Sequence, residues 1–382
     1  MGRRQGLPVR PVPPWPFLTE GATDYFKGVP AGVSQRGDNI TARLMGANYM
    51  IGGIMGTGKS SLVISLLLGA MLDSIVDIDV YAMAYNVDYD PMKRRLRTLV
   101  KGDEDEHLRA ALHVLRGLRD EVTLRGKLLE ELRGEEVKLT REIAERGPRM
   151  RPRVVVFDEC HELFMHKAYG EEAAELAIKV MKKVRKVGIT LIWATVSPTV
   201  ASIPKDVTRN TSHGAAFAVG DHVANDGLLG TGKHRAGITA TTLNPGEDIG
   251  TCLTVGFTKQ AFELMRTYWI RKDAEVDQVT PVVERAMGLL SGPVPTGSTA
   301  LLERNDPLED IATVMGSAPR LLTQEVLQRL RTHNQDAYGH WSFRDLRRVL
   351  DDADHGEYKT DGCRQHVSRA RISEALANRE EP

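Results

Sequence analysis

Short apolar runs alternate with longer helical stretches along most of this chain. Tyr49-Met50-Ile51, Ile78 to Ala84, Val154 to Phe157, Ile189 to Ala194, Ala215 to Val219 and Cys252 to Val255 are brief and bounded by turn residues, the pattern of buried strands. Helical segments separate several of them. Strands alternating with helices predict an α/β fold, a mostly parallel sheet covered on both faces. Between about Pro91 and Arg146 the pattern changes to dense charge of both signs. Leu108, Leu112, Leu115, Leu118, Val122 and Leu129 recur there at helical spacing. This stretch predicts a solvated amphipathic hairpin, with Gly102, Gly117, Gly126 and Gly134 as breaks.

Punctuation divides the chain into four parts. Residues 1–30 form a proline-rich arm carrying Trp15, Phe17 and Phe26, either docked on a partner or on the chain's own core, or a disordered leader. Residues 31–290 hold the alternating pattern, and 291–316 form a linker that begins with the glycine-, proline- and serine-rich run Ser291 to Ser298. Residues 317–382 form a small helical module, with helices expected at Arg320 to Arg331, Trp341 to Asp351 and Val367 to Ala377.

Composition narrows the class. With 41% hydrophobic and 27% charged residues, the 382-residue chain is neither disordered nor a membrane bundle. The longest apolar run, Leu62 to Leu72, falls short of the roughly 20 residues that span a bilayer. The start, Met1-Gly2-Arg3-Arg4, leads into prolines rather than an apolar stretch, so neither a secretory signal nor a transmembrane segment is expected. Cys160, Cys252 and Cys363 are too scattered for a zinc site or a disulfide framework, which fits a cytoplasmic protein. Its 51 basic and 51 acidic residues remove bulk charge as an argument about nucleic acid.

The chemistry begins at Gly53-Ile54-Met55-Gly56-Thr57-Gly58-Lys59-Ser60, which satisfies G-x-x-x-x-G-K-[ST]. An apolar strand precedes it and a helical run follows, the context the motif requires. Glycines let backbone N–H groups curl around phosphate oxygens, and the helix N-terminus adds positive potential. Lys59 can reach the β- and γ-phosphates of ATP, and the Ser60 hydroxyl can ligate Mg²⁺. Gly53, Gly56, Thr57, Gly58, Lys59, Ser60 and Ser61 are therefore the candidate nucleotide-binding residues. Gly230-Thr231-Gly232-Lys233 repeats part of the loop, but His234 replaces the Ser or Thr and the segment reads as a surface turn.

Arg153 to Glu159 is a buried strand ending in two carboxylates. Asp158 is placed to hold Mg²⁺ beside Ser60, and Glu159 to polarise the attacking water. Capping of a following helix is the alternative use of such a pair. Cys160 and His161 read as packing or cap residues and Glu162 as a solvated helix position. Thr195 ends the strand that starts at Ile189; its hydroxyl either senses the γ-phosphate there or simply closes the strand. Lys59, Glu159 and Thr195 are the candidate catalytic residues.

Together these residues resemble the motor domain of the FtsK/SpoIIIE family of DNA translocases, and especially the transfer proteins of actinobacterial plasmids and integrated elements. The likeness runs from about Gly32 to Ala274, through Ala31-Gly32-Val33, the phosphate loop, Val154 to Leu163, Arg185 to Pro198 and a strand expected at Tyr268 to Arg271. It implies a RecA-like P-loop NTPase core, a homo-hexameric ring, and double-stranded DNA threaded through it as ATP is hydrolysed with Mg²⁺. The process implied is conjugal transfer or chromosome segregation, with a membrane-protein partner left open. Two departures stand out. Val196 and Ser197 replace the family's Gln and Arg, and the trans-acting arginine is missing from its usual place, leaving Arg185, Arg209 and Arg235 as substitutes. The C-terminal module is similar to the tail of some transfer proteins. A winged helix reading DNA through Arg364, Arg369 and Arg371 is one reading of it, and a protein-docking module is the other.

Overall fold

The structure is a computed structural model, and it describes residues 12–132, 138–196, 198–199, 202–294, 307–333, 338–339, 341–352, 358–359 and 365–379. The chain divides into two compact units, Met1–Thr299 and Ala300–Pro382.

The first unit is built on a ten-stranded sheet in the order β2-β1-β10-β9-β8-β3-β7-β6-β4-β5. The strands are β1 (Val29–Ser34), β2 (Asn39–Ala42), β3 (Asn48–Gly52), β4 (Asp77–Ala82), β5 (Thr98–Lys101), β6 (Arg153–Asp158), β7 (Ile189–Thr195), β8 (His213–Ala216), β9 (Thr251–Val255) and β10 (Glu263–Thr267). The α-helices between and after them are α1 (Lys59–Met71), α2 (Asp105–Glu131), α3 (Arg141–Glu145), α4 (His161–Met165), α5 (Gly170–Met181), α6 (Lys205–Arg209), α7 (His222–Leu229) and α8 (Val279–Gly288). From β8 to β5 all neighbouring strands are parallel. From β8 through β9, β10 and β1 to β2 they are antiparallel. The central strands β3, β4, β6 and β7 are buried along their whole length, which is why they read as unbroken apolar runs.

Three expectations need correction. The β8 strand starts at His213 rather than Ala215, and Tyr268 to Arg271 follow β10 instead of forming a strand. Among its described residues the Pro91–Arg146 segment is not a plain helical hairpin. It holds most of a 3₁₀ turn (Asp90–Arg95), then β5, the 27-residue helix α2 and the short α3. Gly117 and Gly126 lie inside α2 without breaking it, because a glycine lowers helix stability by only about 1 kcal/mol, which tertiary packing overrides. Gly134 lies outside the described residues. The apolar stripe expected at Leu108, Leu112, Leu115, Leu118, Val122 and Leu129 is buried in α2, and charged residues join it there. Glu121 bridges Arg125 and Arg153 of β6, and Arg153 also pairs with the fully buried Asp79 of β4 at 2.7 Å.

The described part of the arm docks on its own core. Trp15 is buried and donates to the Pro30 carbonyl at 3.1 Å. Tyr25 is fully buried, with its hydroxyl 2.8 Å from that of Thr190 on β7. Asp73 accepts from the Tyr25 amide at 2.8 Å and from Arg141 at 2.9 Å, tying the arm to the end of α1. Burying aromatic side chains of this size contributes on the order of 2–3 kcal/mol each.

The second unit runs α9 (Pro307–Met315), β11 (Arg320–Leu322), α10 (Thr323–His333), α11 (Phe343–Asp352), β12 (Tyr358–Lys359), β13 (Gln365–Ser368) and α12 (Arg369–Arg379). Its antiparallel sheet has the order β11-β13-β12. The described elements follow the order helix, strand, helix, helix and two strands, which is the order of a winged helix. Two expectations shift: residues 307–315 of the proposed linker form helix α9, whose Leu308, Ile311 and Met315 enter this unit's core, and a sheet accompanies the helices. Arg364 lies outside the described residues, and Arg369 donates to the Gly316 carbonyl.

His213 on β8 is buried with its ring 4.7 Å from that of Tyr49, and burial, aided by Arg43, pushes its pKa down to about 4. The unfolded chain therefore takes up this proton first, so the stabilising contribution is complete above about pH 6.5 and lost as pH falls toward 4. Between pH 7 and 4.5 the wild type should lose about 2 kcal/mol more unfolding free energy than His213→Phe. Urea melts at the two pH values check this, and equal losses would refute it.

Candidate functional site

Strand β3 ends at Gly52, and the loop 53–58 leads directly into α1. Gly53, Gly56 and Gly58 have φ of 152°, 79° and 110°, a left-handed path open to glycine at little cost. A Cβ on Gly58 would stand 2.8 Å from the Gly250 backbone, so two glycines allow this contact. The loop is braced at both ends: Ile54 N–H donates to the Ala218 carbonyl at 2.9 Å, and Gly250 N–H to the Thr57 carbonyl at 2.8 Å. Around Gly56 there is open space.

Lys59 is buried, and its ammonium folds back to the Gly53 and Ile54 carbonyls at 3.0 and 3.2 Å. These oxygens occupy the lysine as phosphate oxygens would. Burial lowers its pKa while the nearby Glu159 and Asp158 raise it, an opposition that places both carboxylates within reach of its field. Thr57 is buried and turns its hydroxyl to the Ile54 carbonyl, whereas Ser60 is exposed at the first turn of α1.

The register of the sheet assembles the rest. Gly52 pairs with Thr195 across β3 and β7, and β7 pairs in turn with β6, which ends at Asp158. Asp158 accepts from the Tyr89 hydroxyl at 2.8 Å and from the Glu159 amide at 3.1 Å. Burial raises its pKa, which these two donors and Lys59 only partly offset. Glu159 is the one described non-glycine residue with positive φ, 51°. Its Oε2 accepts from the Val196 amide at 3.0 Å, and burial, then the charge of Asp158, raises its pKa. Thr195 is fully buried, with its hydroxyl 3.2 Å from His161 Nδ1.

The donor set fits a nucleotide with its metal. Glycine-lined space at Gly56 and a lysine satisfied by carbonyls suit phosphate, while Ser60 and Asp158 would hold Mg²⁺ together with phosphate oxygens. Among the described residues no cluster of three His, Cys, Asp or Glu could hold a metal by itself.

Other candidates fall elsewhere. Arg185 lies in a 3₁₀ turn before β7 and Arg209 ends α6 before β8, both at the sheet edge opposite the loop. Arg235 sits in the turn 230–237, which folds back on α7 through His234 and His222, rings 5.8 Å apart. In that turn Asp226 accepts from the Gly232 and His234 amides, both at 2.7 Å, so a carboxylate of the chain fills the small nest. Ser197 lies outside the described residues. Sequence reasoning missed Tyr89, which carries no motif, and Gly250, which braces the loop from about 190 residues away. It also underrated His161, read as a packing residue but placed between Thr195, Glu159 and Glu162.

The profile of the zonular occludens toxin (Zot) family matches residues 47–221, just under half of the chain, from the start of β3 to the residue before α7. The cytoplasmic domain of the Type VII secretion ATPase EccC of Thermomonospora curvata superposes with a TM-score of 0.56 at 19% identity. That match covers 72% of this chain and 32% of the EccC chain, so this chain spans about a third of that length. The pCW3 conjugation coupling protein TcpA, solved with ATPγS, gives 0.53 at 20% identity over 71% of this chain and 73% of TcpA. EssC of Geobacillus thermodenitrificans gives 0.55 at 16% identity over 75% of this chain and 54% of the EssC chain. This chain has the fold of a P-loop ATPase of the FtsK/SpoIIIE type. No curated protein sequence matches it. Within this P-loop ATPase fold, the strand between the loop strand and the acidic strand is β7, which explains why Thr195 stands beside both.

Tyr89→Phe removes a buried donor to a carboxylate. Loss of such a charged hydrogen bond should lower unfolding free energy by roughly 2 kcal/mol and leave Asp158 harder to ionise. Urea denaturation and the Mg²⁺ dependence of nucleotide binding test this; unchanged values in both would refute it.

Proposed function

We propose that this protein is an ATP-dependent double-stranded DNA translocase, a ring motor serving conjugal transfer of a mobile element or chromosome segregation. The observation that carries the reading is the meeting of the phosphate loop, Asp158-Glu159 and Thr195 at one sheet edge. Lys59 exchanges its loop carbonyls for phosphate oxygens, the loop amides orient the phosphates, and Glu159 takes the proton of the attacking water. Thr195 reads the γ-phosphate from the end of β7. Bound Mg²⁺ supplies charge neutralisation at the phosphates. Catalysis is then positioning plus electrostatic stabilisation of the transition state.

The ring reading rests on apolar side chains that stand exposed on and beside the loop, Met55 at 79%, Ile249 at 51% and Ile54 at 40%. A homo-hexamer would cover such a surface and supply an arginine in trans. The DNA reading draws on the winged-helix unit, where Arg344, Arg347 and Arg348 are exposed on α11, the third helix. It also draws on the likeness to a conjugation coupling protein. A membrane-protein partner belongs to the same proposal; no helix among the described residues is long and apolar enough to cross a bilayer.

Val196, in the place of a sensor glutamine, favours a second reading, a nucleotide-dependent recruiting switch with little turnover. The likeness to secretion ATPases, one of them solved with a signal sequence peptide, favours a ring that moves protein. Steady-state ATPase with and without duplex DNA separates these. DNA-stimulated turnover abolished by Lys59→Ala and Glu159→Gln supports the translocase, and background turnover under every condition supports the switch. Replacing Arg344, Arg347 and Arg348 with Ala should weaken duplex binding and lower its log–log salt slope by about 0.9 for each phosphate no longer neutralised. A salt-independent affinity, unchanged in that variant, would count against DNA.

A further inference from the structure

The imidazole of His161 stands among three side chains. Its Nδ1 is 3.2 Å from Thr195 Oγ1 and 3.4 Å from Glu159 Oε2. Its Nε2 is 3.2 Å from Oε1 of the half-exposed Glu162, on the other side of the ring. The ring is only 12% exposed, so this arrangement is held by packing as well as by polar contacts. The Val196 amide reaches the same Glu159 oxygen. One oxygen of the carboxylate is thus hydrogen-bonded by the Val196 amide and faced by the His161 ring. Among the described residues no hydrogen bond occupies the other, Oε1, the oxygen left to accept a proton from water.

Two further features point the same way. Glu159 is held at φ 51°, a conformation that a non-glycine residue rarely adopts and that persists only when its surroundings enforce it. Thr195 is the register partner of Gly52, the residue before the phosphate loop. A shift of the Thr195 hydroxyl toward a γ-phosphate therefore acts on Glu159 through a single ring.

We propose that His161 is a positioning residue that couples Thr195 to the base Glu159, so that the carboxylate is set for water attack only when the end of β7 engages nucleotide. The inference rests on the ATPase reading above. It assigns to His161 the linking role for which the glutamine after Thr195 is missing.

The test uses the full chain as wild type, His161→Ala, His161→Asn, Glu159→Gln and the Glu159→Gln/His161→Ala double variant. Its readouts are kcat and KM for MgATP and the equilibrium affinity for a fluorescent ATP analogue. Removing the positioning ring should lower kcat about 100-fold in His161→Ala, the scale of a misplaced catalytic group, with analogue affinity within about twofold. His161→Asn, whose amide nitrogen stands near the place of Nδ1, should recover much of that loss and also guards against misfolding of the Ala variant. In the Glu159→Gln background, His161→Ala should change the residual rate no further. An unchanged kcat in His161→Ala overturns the proposal, as does an Asn variant no better than Ala or a full additional loss in the double variant. A wild type without ATP turnover overturns the ATPase reading and this inference with it, a result distinct from active wild type with an equally active His161→Ala.

Discussion

The site depends on one constraint, the parallel pairing of β7 with β3 on one side and β6 on the other. Those two ladders place Gly52, Thr195 and Asp158 at the same edge although they come from three distant stretches of chain. Strand side chains alternate with period two, so a slip of one residue in either ladder would turn Thr195 or Asp158 to the opposite face. Complete burial of all three strands makes such a slip costly, since it would exchange every contact on both faces. Stacking of Phe157 on Trp193, 4.3 Å apart and register partners, locks the β6–β7 ladder two residues from the site.

The sheet also explains why the loop can be so open. A path of left-handed glycines gains nothing from side-chain packing and loses much conformational entropy on folding. Braces offset this: Ala218 after β8 and Gly250 before β9 from outside the motif, and Lys59 from within it, folded onto the loop's own carbonyls. Nucleotide phosphates would take over the lysine and leave the other braces in place. The antiparallel half of the sheet, which adds β9 and Gly250, therefore helps to hold the glycine loop in place.

Much of this was legible in the residues. Lys59, Ser60 and the loop glycines are spaced by their chemistry, and β6 announces itself as a buried strand with acids at its end. The parallel half of the sheet followed from alternation, since strands buried on both faces read as apolar runs. What escaped was set by tertiary contact. Strands β2 and β5 have four residues each, and the six-residue β1 contains Pro30 and Gly32, so local pattern could not announce them. Tyr89 and Gly250 act through partners far away in sequence, and His161 gains its role only once Thr195 arrives beside it.

The neutral charge balance takes on a specific meaning when the charges are located. Asp79 is fully buried, and although burial alone would raise its pKa, Arg153 and Arg97 outweigh that and hold it low. Arg153 continues to Glu121 and Glu121 to Arg125, whose guanidinium reaches the Val187 carbonyl at 2.9 Å just before β7 begins. Removing one member of such a buried network typically costs about 3–5 kcal/mol because its partners stay buried without compensation. Part of the mixed charge in α2 is therefore committed to fastening that helix across the N-terminal ends of β4, β6 and β7, opposite the phosphate loop. Charges committed there cannot serve as a basic surface for a ligand. A surface of that kind must come from exposed arginines elsewhere, and α11 presents three of them within five residues.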